Sequence, residues 1–154
     1  MPDRAAVSDF CAPNGLRLVE RLDERAIPEA LALLDNTYWN EGIPKDAIAR
    51  SLLGATVWVG ALDESGALVG MARALSDGAK IAWIYDVIVR SDWRGKGVAC
   101  AIMAFVLAHP AVRHVRRVRL NTRDAQRLYA KFGFRDSPPP LGPEMVLERD
   151  ITGT

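Results

Sequence analysis

Cysteine is scarce in this chain, and what there is lacks pattern. Of 154 residues only Cys11 and Cys100 are cysteines. No spacing between them suggests a disulfide framework or a zinc site, so a reducing, cytoplasmic setting is the simplest expectation. Charge of one sign is also missing. Lys and Arg number 20 against 19 Asp and Glu, a formal net charge of +1, which points to no particular partner. Long hydrophobic runs are absent too. The longest, Val98 to Ala108, falls short of the roughly 20 residues a membrane-spanning helix needs, so no membrane partner is expected. Asp3 and Asp9 interrupt the N-terminus, which does not read as a signal peptide. There is no internal repeat and no interdomain linker.

What is present is an ordinary globular composition, 49% hydrophobic and 25% charged, in a length that suits one domain. Residues 1–14 read as a flexible tail and residues 15–154 as a single domain. Leu16 to Leu22 reads as a strand. Helical patterns follow at Ile27 to about Leu34 and at Pro44 to Leu53, with Pro28 suited to a first helical position. Three β-rich runs come next, Thr56–Leu62, Ala67–Leu75 and Lys80–Arg90. They are separated by the turn signals Asp63-Glu64-Ser65-Gly66 and Ser76-Asp77-Gly78, which predict an antiparallel meander.

A helix is expected from Gly97 to about His109, stopped by Pro110. A short strand at Arg116–Leu120, a helix at Asp124 to about Phe132, a rigid Pro138-Pro139-Pro140 loop and a last strand at Glu144–Asp150 complete the chain. The order β-α-α-β-β-β-α-β-α-β is that of an α+β fold rather than a regularly alternating one.

The sharpest local feature is Arg94-Gly95-Lys96-Gly97-Val98-Ala99, where an Ile/Val-rich strand passes directly into a helix. Helix-start amides lack intrahelical acceptors, the macrodipole adds about half a positive charge there, and glycine lets an anion approach without meeting a Cβ. A pyrophosphate suits such a turn. It is not a Walker A loop, because Lys96 is followed by Gly97 and no hydroxyl stands ready for magnesium. Nor does it match a dinucleotide fingerprint, which would want a third glycine where Cys100 stands.

Asp86-Val87-Ile88-Val89 followed by Trp93-Arg94-Gly95-Lys96-Gly97-Val98-Ala99 resembles the central motif of the GCN5-related N-acetyltransferase (GNAT) superfamily: Arg or Gln, two residues, Gly, one residue, Gly or Ala. Ala125, Leu128-Tyr129 and Phe132-Gly133-Phe134 resemble that family's later elements. The resemblance implies a mixed, largely antiparallel central sheet flanked by helices. It also implies an acetyl-CoA-dependent N-acetyltransferase that needs no metal and delivers the acetyl group directly to an amine.

By the same resemblance, backbone groups of Val87, Ile88 and Val89 would pair with the pantetheine arm. The amides from Gly95 through Lys96, Gly97, Val98 and Ala99 to Cys100, with Arg94 at their head, would cradle the pyrophosphate. Tyr129 would protonate the departing thiolate. The position aligned with the carboxylate base of some relatives is Trp83, and strand alternation puts Asp86 on the opposite face from it, as a structural residue. The family's frequent Asn falls at Thr122.

Tyr38, Trp39 and Glu41 lie in a segment that commonly lines the acceptor pocket of the superfamily. They read either as walls for a small amine, with Glu41 orienting a cationic substrate, or as core-capping rings beside a solvated carboxylate. The basic run Arg113, His114, Arg116, Arg117, Arg119, Arg123, Arg127 reads first as a solvated strand face, then as a site for the CoA 3′-phosphate or RNA, with nucleic acid the weaker reading. A small-molecule amine acceptor is expected. A protein N-terminus or lysine, a CoA-binding regulatory module with little turnover, and a homodimer stay open.

Overall fold

The computed structural model describes residue 13, residues 15–137 and residues 145–152. Five strands and four α-helices follow one another as β1 (Arg17–Val19), α1 (Ile27–Leu34), α2 (Lys45–Leu53), β2 (Val57–Leu62), β3 (Leu68–Ser76), β4 (Ile81–Val89), α3 (Val98–Ala108), β5 (Arg117–Arg119) and α4 (Gln126–Ala130). Single 3-10 turns lie at Glu24–Ala26, Tyr38–Asn40 and Ser91–Trp93. The strands form one sheet in chain order, antiparallel from β1 to β4, with β5 added parallel to β4. This is the expected α+β architecture. The expected N-terminal tail, Pro13 apart, and the Pro138–Pro140 loop lie outside the described residues.

Both meander turns are closed by aspartate. Asp63 Oδ1 accepts the amides of Ser65 and Ala67, and Asp77 Oδ1 accepts those of Ala79, Lys80 and Ile81. Each side chain therefore satisfies turn donors that no strand could reach.

The sheet separates two apolar layers. On one face α3, apolar on every side, buries Val98, Ile102, Met103 and Val106 against Val59, Val69, Ala72 and Ile84. Fully burying each such aliphatic side chain contributes about 1.5–3 kcal/mol. Gly70 makes this approach close: a Cβ there would lie 2.7 Å from Ile102 Cδ1. On the other face α1 and α2 place Ala30, Leu34, Ile48 and Leu52 over Trp58, Leu68 and Met71.

Two expectations need correction. The register between β3 and β4 shifts between Met71 and Arg73, opposite Asp86, whose φ is +53°. This bulge turns two consecutive side chains, Tyr85 and Asp86, to the α1–α2 face. There Arg73 lies over the Tyr85 ring and bonds Asp86, and Tyr85 stacks on Trp83. Asp86 thus shares the face of Trp83 instead of opposing it, because a bulge adds one residue to the period-two count. The last strand is the second correction. Residues 145–150 pair with no strand, and Met145, Val146 and Leu147 are exposed. Apolar alternation alone could not supply an edge to pair with.

Candidate functional site

β4 and β5 run side by side only briefly. They pair at Ile81–Arg117, Ala82–Val118 and Trp83–Arg119, after which β4 continues to Val89 with no strand on that edge among the described residues. The result is a seam whose one wall is the edge of β4 beyond Trp83. Val87 and Val89 turn toward the α3 layer and Ile88 toward the α1–α2 layer.

The seam ends at the glycine turn. Gly95 and Gly97 have φ of +73° and +84°, a left-handed backbone that side chains with a Cβ disfavour, and Gly97 caps α3. At neither glycine would a Cβ meet any atom within 4 Å, so the space before the turn is open. Val98 is buried, Ala99 and Cys100 are half-buried, and the amides at the start of α3 face this space as a donor set without intrahelical acceptors.

Arg94 does not reach forward. Its Nε donates to the Val89 carbonyl at 3.1 Å, tying the turn to the end of β4. Lys96 folds back, its Nζ 5.1 Å from the Trp93 ring centre. Of the strand groups expected to pair with the cofactor arm, the Val89 carbonyl is thus already engaged within the chain.

Tyr129, on α4, is buried at 8% exposure, its ring 6.0 Å from Phe134 and edge-on. Burial first, then the neighbouring Tyr38 and Asp124, raises the phenol pKa above its ordinary value. Thr122, where the family's Asn was expected, accepts the Ala125 amide at Oγ1 over 3.0 Å and so steadies the entry to α4.

The segment Tyr38–Asn40 is pinned to the sheet by Asp86. Trp39 Nε1 donates to Asp86 Oδ1 at 2.7 Å, Asn40 Nδ2 to the same oxygen at 3.4 Å, and Arg73 Nε to Oδ2 at 2.5 Å. The Asp86 side chain is only 2% exposed, so this ion pair and these hydrogen bonds offset the cost of burying its charge. Glu41 is elsewhere. It is exposed, beside a cavity of about 480 Å³ between α1 and α2 that Tyr38, Asn40, Ile43 and Ile48 also line. That cavity does not include Tyr129.

The structure therefore brings Tyr38 and Trp39 to the sheet face that carries Trp83 and Tyr85, and leaves Glu41 apart from it. Sequence reasoning missed Arg73, Asn40 and Asp86 as one unit. A signal existed: Asp86 is the single charge within the apolar run Ile81–Val89, and a buried charge must be paired. Among the described residues no group of three or more His, Cys, Asp or Glu side chains could hold a metal ion, and no helix is long and apolar enough to cross a membrane.

A sheet parted beside a glycine turn at a helix start defines a class of folds suited to hold an anion next to an extended arm, and comparison with known proteins says which family it is. The acetyltransferase (GNAT) domain model matches residues 54–136. An uncharacterised N-acetyltransferase of Porphyra purpurea, ycf52, is 33% identical over 82 residues, covering 49% of this chain and 44% of that protein. The chain thus spans less than half the length of that relative. Among solved structures, a protein assigned to the GNAT family from Xanthomonas campestris pv. campestris is 32% identical, covers 93% of this chain and 100% of its own, and superposes with a TM-score of 0.71. A GNAT-family acetyltransferase from Streptococcus pneumoniae TIGR4, 18% identical, shares the fold at a TM-score of 0.67 over 87% of this chain and 98% of its own. The chain belongs to the GNAT acetyltransferase family.

Proposed function

We propose that this protein is an acetyl-CoA-dependent N-acetyltransferase acting on a small amine. The observation that carries the reading is the open glycine turn at the head of α3 beside an edge of β4 that no strand among the described residues pairs with beyond Trp83. An anion and an extended arm can be held there together. When bound, acetyl-CoA supplies an acetyl thioester whose carbonyl is open to attack by a neutral amine.

The amides from Gly95 to Cys100 take the diphosphate through backbone donors, a mode that needs no metal. Val87 and Ile88 offer backbone groups along the seam to the pantetheine arm, as a strand would to its neighbour. Arg94 acts as a strut, fixing the turn to Val89 so that the anion site and the seam keep one relative geometry. Tyr129, which holds its proton at Oη, would give it to the departing sulfur as the C–S bond breaks and regain one from the proton that the amine sheds on forming the amide. Burial supports this role, because a phenol whose pKa lies above 10.0 stays protonated at neutral pH. Asp86 is a brace rather than a base, since both of its oxygens already accept hydrogen bonds.

The test is thiol release from acetyl-CoA against a panel of small amines, a lysine peptide and a peptide with a free N-terminus. Faster release with at least one small amine is expected. Binding of acetyl-CoA with no acceleration by any amine would make the protein a CoA-binding module instead, and acceleration by the peptides alone would move the acceptor class to proteins.

A further inference from the structure

On the sheet face opposite α3, a run of contacts joins residues far apart in the chain. The Arg119 guanidinium lies 4.8 Å from the Trp83 ring centre, Trp83 stacks on Tyr85 at 6.1 Å and 15°, and Arg73 sits 4.7 Å over Tyr85. Asp86 joins Arg73 to Trp39. Trp39 meets Tyr38 edge-on at 4.9 Å, and Arg123 lies 3.9 Å over Tyr38. Tyr38 in turn neighbours Tyr129. The aromatic wall therefore runs from the point where β4 and β5 part to Tyr38, close enough to Tyr129 to act on its phenol.

The three arginines on this wall differ. Asp86 neutralises Arg73. Arg119 and Arg123 have no carboxylate within 4.0 Å among the described residues, and Asp124, next to Arg123 in the chain, forms no ion pair with it. Arg119 is half-buried, so its charge is partly stripped of water with no counter-ion among the described residues, while Arg123 is exposed. Guanidinium groups over aromatic rings still have edge N–H donors, in a fork that matches carboxylate or phosphate oxygens.

We propose that the acceptor is an amine that also carries an oxyanion group, a carboxylate or a phosphate, which Arg119 and Arg123 recognise while its body lies against the Trp83, Tyr85 and Tyr38 rings. This rests on the acetyltransferase reading and assigns the acceptor side of that site. The oxyanion could instead be the cofactor's own 3′-phosphate, and the experiment separates the two sources.

Two amine pairs that differ in one anion, phenylalanine against phenethylamine and O-phosphoethanolamine against ethanolamine, are compared by calorimetry on the CoA-loaded protein and by thiol release with acetyl-CoA. In at least one pair the anionic member is expected to bind and react about tenfold better, the order of one or two charge-assisted hydrogen bonds. Arg119→Gln and Arg123→Gln should each cut that preference to about threefold or less by raising KM for the acceptor, with KM for acetyl-CoA unchanged. Arg119→Lys should restore part of it. A lack of preference in both pairs overturns the anion site whether or not thiol is released. So does a result in which the variants instead erase discrimination between acetyl-CoA and its 3′-dephospho form. A calorimetric preference without thiol release from any amine would leave the anion site standing and remove the acetyl-transfer reading.

Discussion

Tyr129 is held between two demands. Its ring belongs to the apolar layer with Phe134, while its hydroxyl is the proton donor assigned to the reaction. Tyr129→Phe keeps the first role and removes the second. It is expected to lower kcat about 100-fold or more, with KM for acetyl-CoA nearly unchanged. Because burial raises the phenol pKa, loss of kcat through its ionisation should set in at a higher pH than an exposed tyrosine would show, read from a kcat–pH profile in the wild-type protein.

His109 gives a second titration, one of stability. Burial lowers its pKa from 6.5, only partly opposed by Glu20 3.7 Å away, and its Nδ1 accepts the Ala111 amide. The unfolded chain therefore binds a proton near pH 6.5 that the folded chain resists. Stability from this group is complete above that pH and is lost as pH falls below it toward the lowered folded value. The midpoint of urea unfolding should drop between pH 7 and pH 5 in the wild type, and drop less in His109→Gln.

At the scale of elements, the glycine turn is where conformation and ligand meet. Gly97→Ala forces a Cβ into a left-handed cap, at about 1–2 kcal/mol. A modest fall in unfolding midpoint is expected, together with a rise of tenfold or more in the dissociation constant for acetyl-CoA, measured by calorimetry.

How far these elements could be read from the chain depended on whether local pattern was enough. α1 matches its expected span because Pro28, a following apolar stripe and the end at Leu34 are all local. The meander turns at Asp63 and Asp77 were legible for the same reason. The bulge at Asp86 was not, since it is a mismatch between two strands rather than a property of either. Residues 145–150 carry a strand-like pattern, but a strand exists only where a neighbouring edge is free and near. The turn of the cofactor side was marked by Gly95 and Gly97. The stacking of Arg119 on Trp83 and of Arg123 on Tyr38 joins residues whose proximity follows only from the completed sheet.

For the whole molecule, the parting of β4 from β5 means that the sheet closes on one side without its full complement of partners. Among the described residues no strand pairs with that edge of β4 beyond Trp83, where only the Val89 carbonyl is taken up, by Arg94, and the layer of α3 packs over a discontinuity. On the acetyl-CoA reading proposed above, the bound cofactor would complete it. At a cofactor concentration 100 times its dissociation constant, linkage adds about 2.7 kcal/mol to the folded state. Amide hydrogen exchange should show that addition unevenly, with marked slowing at residues 84–89 and 95–100 and little change in β1 and β2. In a cell where the acetyl donor rises and falls, such a chain would register that supply in its own resistance to unfolding, so that its lifetime as well as its turnover would follow the pool it draws upon.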